Sequence, residues 1–395
     1  MKLALYSRAK ALRKGAGWTM SLKRTRIAAG GAAIAVVAAL IAGCSSSSSS
    51  SAPAAAANSS AAGGSSPSAV SSASTSAGGS NIRMAIFYYN PSPYGIASLN
   101  GAKQEAAKLG VQLDAFDGNN NPQTQTTQIQ DAITTGKYKA FWVWGLNDVA
   151  LTPIINKAMA ANIKVAAADY TWGPLSSQNK LTADPKLVTT VGQSIGAEGT
   201  NLIAAMNAAC KKQVGSGHCN IAFLPGLANY PTDTVRENAM TAYYKGKSNY
   251  SFTILPPGMY DQAASQKVAQ TYFNANKNVN VFATFGDQMA AGTVTALKLV
   301  GGYTPGKNIA IIGYGGAKEA VEQVKSGTWY ATLGLYPASE SEIGIAALND
   351  ALNGKPTPNL VNIINPATRP AIIDQAFLAA HSDFHPDWTL TGGIN

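Results

Sequence analysis

From residue 83 onward, short apolar runs alternate with longer stretches of helically spaced apolar positions. Residues 83–89, 111–116, 141–144 and 164–168 are short and β-friendly, which predicts strands. Residues 96–109, 122–135 and 149–161 predict helices. The first stops at Gly110, and the second opens on Pro122, a residue favoured at the first helical position. Residues 187–210 predict one long helix. The alternation then repeats, with strands at 220–224, 251–255, 279–284, 308–313 and 329–335, and helices at 234–244, 264–276, 288–300, 318–326 and 339–352. Strict strand–helix alternation predicts parallel sheets covered on both faces. A break near Ala183, Asp184 and Pro185 divides the pattern into two doubly wound α/β domains. Ligands of such sheets sit at the carboxyl ends of the strands, so a cleft between the two domains is the expected site.

Residues 1–80 do not belong to this pattern. The chain carries 30 Lys+Arg against 20 Asp+Glu in 395 residues, a formal charge of +10. Eight of the basic residues lie in residues 1–43, among no acidic ones, and the remainder is close to neutral. That distribution argues against a nucleic-acid footprint on the folded part. Residues 27–41 form an uncharged, mostly apolar run of about 15 residues, short of the ~20 that span a bilayer. A basic segment, an apolar segment and small residues before Cys44 read as a secretory signal, residues 1–43. The Cys after small residues resembles a bacterial lipobox, in which Cys44 is lipidated and becomes the mature N-terminus; a short membrane anchor is the alternative. Residues 45–80 are almost all Ser, Ala and Gly with a few Pro, carry no charge and no aromatic ring, and predict a disordered tether. Anchor and tether together place the folded part outside the cell membrane.

Cys210 and Cys219 remain, nine positions apart across a Gly-rich loop. In an exported chain this spacing favours a disulfide. A metal pair needs two further ligands, and only His218 is adjacent. His381 and His385 are four apart, but Pro386 and the residues between them do not favour a helix. No phosphate loop or nucleophile elbow is present. Asp114 and Asp117 flank a strand end and read as caps. No cofactor, metal or catalytic group is expected.

Several stretches carry a more specific signal in their order. They are Asn90-Pro91-Ser92-Pro93-Tyr94 after the first strand, Gly101-Ala102-Lys103, Glu105 to Gly110, Asp117 with Asn120 to Pro122, and Gln128-Ile129. Asp169 then ends a strand, followed by Arg236-Glu237, Phe285 to Ala290 with Gly292, and Ile312 to Gly316. Over roughly residues 82–355 the chain resembles the type I periplasmic solute-binding proteins of the ribose-binding group. The related lac-repressor-type regulators carry a DNA-reading helix-turn-helix where this chain has its signal and tether. The resemblance implies three crossovers, near Asp184, near Tyr336–Pro337 and around 357–361. It thus implies a first domain of residues 81–184 with 337–357 and a second of 185–336 with 358–395. Residues 365–395 depart from the short tail of that family.

By the same resemblance, Asp169 and Arg236 match the family's carbohydrate-gripping pair. A carboxylate accepts from sugar hydroxyls, and a guanidinium supplies five donors in a fixed fork. Tyr94 and Tyr260 match positions of stacking rings. Tyr89, Trp144, Tyr170 and Trp172 also fall at or just past strand ends, where aromatic faces pack on the C–H face of a sugar. Ser92, Asp287 and Gly315 complete the expected ligand-contacting set. Gly286, Gly315, Leu335 and Tyr170 stand where relatives commonly have hydrogen-bonding side chains. The cleft is therefore expected to be roomier, more apolar and more aromatic than a ribose site. A larger glycoside, a modified sugar or an aromatic small molecule suits it better.

The expected role is the lipid-anchored, monomeric solute-binding component of an ABC importer. It would close on a small sugar-like solute and deliver it to a membrane permease and its ATPase, with no chemistry on the chain. A ligand sensor for a membrane receptor, an enzyme of the same shape and a structural lipoprotein are the rivals.

Overall fold

The computed structural model describes residues 82–395; the signal, Cys44 and the tether lie outside the described residues. The first half of the fold begins β1 (Arg83–Tyr88), α1 (Pro93–Leu109), β2 (Gln112–Asp117), α2 (Pro122–Thr135), β3 (Ala140–Val143), α3 (Asp148–Ala160), β4 (Lys164–Asp169) and β5 (Thr190–Gly192). The second half runs α4 (Ile195–Val214), β6 (Cys219–Leu224), α5 (Pro231–Tyr244), β7 (Tyr250–Ile254), α6 (Gln262–Ala275), β8 (Val281–Thr284), α7 (Asp287–Val300), β9 (Ala310–Gly315), α8 (Lys318–Lys325) and β10 (Ala331–Gly334). The chain closes with α9 (Pro337–Leu352), β11 (Leu360–Asn362), β12 (Ile372–Asp374) and α10 (Gln375–Ala380).

Two six-stranded sheets result, ordered β11-β5-β4-β3-β1-β2 and β12-β10-β9-β8-β6-β7. All pairings are parallel except β10 with β12. Each sheet is apolar on both faces, so each lobe carries two hydrophobic cores. Trp142 and Ile345 lie in one core of the first lobe and Phe141 and Ile155 in the other. Phe282 and Phe223 mark the two cores of the second. Local chemistry fixes the helix starts. Ser92, Asn121, Asn147, Ser194 and Asp261 cap helices through their side chains, and Pro93, Pro122, Pro231 and Pro337 occupy first-turn positions.

Two expectations are corrected here. Residues 187–210 are not one helix, because Thr190–Gly192 is a strand parallel to β4 and Ser194 caps a helix that starts at Ile195. The β-branched run Val188 to Val191 favours a strand. Gly192 then passes so near the Asp169 carbonyl that a Cβ would lie 2.0 Å from its oxygen. The first crossover thus follows Gly192 rather than Asp184. Likewise, residues 358–395 do not all fall in the second lobe. β11 lies beside β5 in the first sheet, and the chain crosses between Asn362 and Ile372. Both strands are three residues long, too short to show an alternating pattern. α9 packs on α1, β3 and β4, so it belongs to the first lobe.

Candidate functional site

The carboxyl ends of the strands of the two sheets face a shared cavity that offers about 100 Å³ to water-sized occupants. One water needs roughly 10–15 Å³ on that measure, so the space suits a small molecule. The first lobe contributes Tyr89, Ser92, Tyr94 and Asp169; the second contributes Tyr230, Arg236, Tyr260, Phe285 and Tyr314.

Arg236, on the second turn of α5, is buried and held from several sides. Its Nε donates to Glu198 Oε2 at 2.6 Å and its Nη1 to Asp233 Oδ1 at 3.2 Å. The guanidinium lies 5.1 Å from the Phe285 ring centre and 5.0 Å from that of Tyr314. The Tyr314 hydroxyl donates to the same Glu198 oxygen, and Tyr260 donates to Asp233 Oδ1 at 2.5 Å. Burial pushes the Glu198 and Asp233 carboxyls up, and the adjacent guanidinium opposes that rise. Two carboxylates thus face the one cation and more than offset its charge.

Asp169 ends β4 with φ at +77°, a conformation costly for a residue with a Cβ. Its carboxylate accepts from the Tyr89 hydroxyl at 3.2 Å. Burial, then the nearby Glu198 charge, pushes its carboxyl up, and Arg236 pulls it back. Tyr94 is half-buried, but its hydroxyl oxygen is fully covered and has no hydrogen-bond partner among the described residues. Such an oxygen is costly to bury alone, and a ligand hydroxyl would satisfy it.

The other expected residues are placed differently. Trp144 lies beneath the cavity, with Tyr89 stacked on it at 4.1 Å and Tyr94 at 4.7 Å. It supports two lining rings. Tyr170 donates its hydroxyl to the Gly145 carbonyl at 2.6 Å, and Trp172 donates to Thr152 Oγ1 at 3.0 Å, so both brace loops of the first lobe. Asp287 is fully buried. It accepts from Thr332 Oγ1 at 2.7 Å and from the Ala317 amide at 2.9 Å, tying the starts of two helices together, and burial pushes its carboxyl up to about 7. Gly315 does not line the cavity, and its carbonyl accepts from Trp388. Ser92 lines it but is spent on capping α1.

Of the departures read from the sequence, Tyr170 and Gly315 do not line the cavity. Gly286 and Leu335 line the cavity, and seven aromatic rings surround it. The space is not left open, however. Trp388, from the tail, leans over Gly315, where a Cβ would meet the indole at 2.8 Å. Sequence reasoning missed Tyr230, Tyr314 and Trp388. Tyr230 stands just before the helix-opening Pro231 and Tyr314 lies within a strand-end motif, which were usable signals. Nothing in the sequence pointed to Trp388.

Cys210 and Cys219 face each other across the end of α4 and the start of β6, with their sulfurs at bonding distance and Cα atoms 5.8 Å apart. His218 is exposed and bonded to Ser248 and Ser251, and His381 stacks on Phe377. Among the described residues no helix is long and apolar enough to cross a membrane.

Comparison with known proteins places this geometry. The chain is similar to the ribose import binding protein of Escherichia coli (strain K12), 24% identical over 267 residues that cover 67% of this chain and 82% of that protein. An ABC transporter solute-binding protein from Mycobacterium smegmatis, solved with bound glycerol, shares the fold at a TM-score of 0.62 and 22% identity, over 76% of this chain and 96% of that one. Another from Actinobacillus succinogenes, solved with bound D-allose, does so at 0.63 and 20%, over 76% and 99%. The model of the periplasmic binding protein domain matches residues 85–356. With two such α/β lobes closing on one cavity, the chain belongs to the periplasmic binding protein domain family.

Proposed function

We propose that this chain is the solute-binding component of an ABC importer, and that it captures a neutral, polyhydroxylated solute of the sugar class. The observation that carries the neutral charge is the cavity's electrostatics. Arg236 is the only cation among the described lining residues, and it is already paired with Glu198 and Asp233. Asp169, opposite, is drawn toward its neutral form by burial. An anionic solute would find no unpaired cation there and would lose its hydration uncompensated. A sugar instead offers hydroxyls to Asp169, Tyr94 and the remaining guanidinium N–H groups, and C–H faces to Tyr89, Tyr230 and Tyr260. The relatives point the same way, since those described above are named for ribose import or were solved with glycerol or D-allose.

The chain acts without chemistry of its own, in keeping with a family of solute-binding proteins. Both cavity walls come from one polypeptide, so a monomer suffices. Its partners are the solute, a permease and the permease's ATPase. Export through the signal and lipidation at Cys44 hold it at the outer face of the cell membrane. The same compartment keeps Cys210 and Cys219 oxidised.

A thermal-unfolding screen of the ligand-stripped chain tests this reading. The panel holds neutral pentoses, hexoses, inositols and glycosides beside uronic acids and aminosugars. A solute at ~100 times its dissociation constant adds about 2.7 kcal/mol. Stabilisation confined to neutral sugars supports the proposal. A response only to charged or non-sugar aromatic compounds overturns it.

A further inference from the structure

The family match ends at residue 356, yet the cavity is completed by a residue far beyond it, Trp388. The segment after α10 folds into a small turn in which Trp388 pairs with Ile394 and the Thr389 amide donates to the Gly393 carbonyl at 2.9 Å. On the first lobe, Asn100 of α1 donates to the Gly392 carbonyl at 2.9 Å. Asp387 accepts from the Ala338 amide at 2.8 Å and from Ser339 Oγ at 2.6 Å, and so caps α9. On the second lobe, the Lys318 amide donates to the Trp388 carbonyl at 2.8 Å, and Glu319 accepts from the Leu390 amide at 2.8 Å. Trp388 Nε1 donates to the Gly315 carbonyl at 2.9 Å, and the indole is 1% exposed. Around it, Ala97 of the first lobe and Ala317 of the second join Leu390 and Ile394 in one apolar cluster, and Tyr94 meets the indole edge-on at 5.6 Å.

We propose that the segment after α10 is a strap docked on both lobes, which makes Trp388 the end wall of the cavity and thereby limits the size of the solute. The three covalent crossovers let the lobes hinge. The strap adds a fourth, non-covalent tie at the α1–α9 and β9–α8 side of the cleft. Because Gly315 has no Cβ, the indole can reach the cavity there. An aromatic wall at that place shortens the cavity and gives a further face for stacking. The size limit rests on the sugar reading above; the strap itself does not.

The test uses the full chain, Trp388→Ala, the conservative Trp388→Phe, and Asp387→Ser. Amide hydrogen exchange of the ligand-free proteins comes first. Loss of the strap predicts exchange at least ten times faster at residues 96–101 of the first lobe and 315–319 of the second in both Trp388→Ala and Asp387→Ser. Peptides of β6 and β8 stay protected, which shows that the fold persists. Acceleration on one lobe alone, or on neither, overturns the strap. Titration calorimetry then compares D-allose with 4-nitrophenyl β-D-galactopyranoside. The expected result for Trp388→Ala is a ratio of affinities shifted at least tenfold toward the glycoside, with Trp388→Phe close to the unaltered chain. An unchanged ratio overturns the size limit. Failure of the unaltered chain to bind any panel sugar overturns the sugar reading and the size limit together, and the exchange result still decides the strap.

Discussion

The two polar ends of the cavity look symmetrical in the sequence, a carboxylate on one lobe and a guanidinium on the other, but the fold treats them differently. Arg236 is locked by Glu198, Asp233 and two ring faces, with the carboxylates themselves held by Tyr314 and Tyr260. Asp169 accepts from Tyr89 through a longer bond, on a backbone held at positive φ. A group with many protein partners is pre-organised and mostly spent, whereas a group with few keeps capacity for a ligand. The second lobe thus supplies a rigid electrostatic floor, and in the proposed reading the first keeps the acceptor that a solute would meet.

The sharpest way to break that contrast is to remove the floor. Arg236→Met leaves Glu198 and Asp233 buried without their cation. Stability should fall by about 3–5 kcal/mol, read from the denaturant midpoint, because uncompensated buried charge is that costly. A loss of binding with no loss of stability would show that Arg236 serves the ligand alone.

A second contrast lies between Asp287 and ordinary surface carboxylates. With its carboxyl raised to about 7, the folded protein holds that proton more tightly than the unfolded chain does. Its contribution is complete below about pH 4 and is lost as pH rises through about 7, on the order of a few kcal/mol. Asp287→Asn resembles the protonated carboxyl and does not ionise, so its stability profile should be flatter from pH 4 to 8. Denaturant titrations across that range decide it; an unaltered slope would mean Asp287 is ionised throughout.

Asp169→Asn should weaken sugar binding by roughly 10- to 100-fold, the value of a hydrogen bond to a charged group, at ~1.5–3 kcal/mol. Its unfolding midpoint should not fall, since the variant removes a desolvated charge. Calorimetric titration with the best sugar of the screen measures the first, and thermal unfolding the second. The smallest effect is expected from Tyr89→Phe. Losing one bond to Asp169 costs about 0.5–1.5 kcal/mol of affinity, while the stack on Trp144 survives.

The fold was largely legible in the sequence because nine strands alternate with helices whose caps are local chemistry, such as Ser92-Pro93 and Asn121-Pro122. β5 and β11 escaped because three residues carry no period, and their place is set by neighbours such as Asp169 and Thr190. The cavity was half legible. Tyr89, Tyr94, Asp169, Arg236 and Tyr260 follow strands, where the topology puts ligands. Trp144, Tyr170, Trp172 and Asp287 share that position but turn inward, and a strand end does not announce which way its side chain packs. Trp388 was hidden because its place depends on a tail that docks from a distance, with no element to project it from.

The central claim is that the cavity holds a neutral polyol over a floor whose one cation is already paired. The most direct test is calorimetric titration at pH 7 of the unaltered chain with the sugar that stabilises it most, beside that sugar's uronic acid. Saturable binding of the neutral sugar, with the uronic acid at least tenfold weaker, is the predicted result. Equal or tighter binding of the uronic acid would mean that Arg236 is free to meet an anion, and would contradict the account.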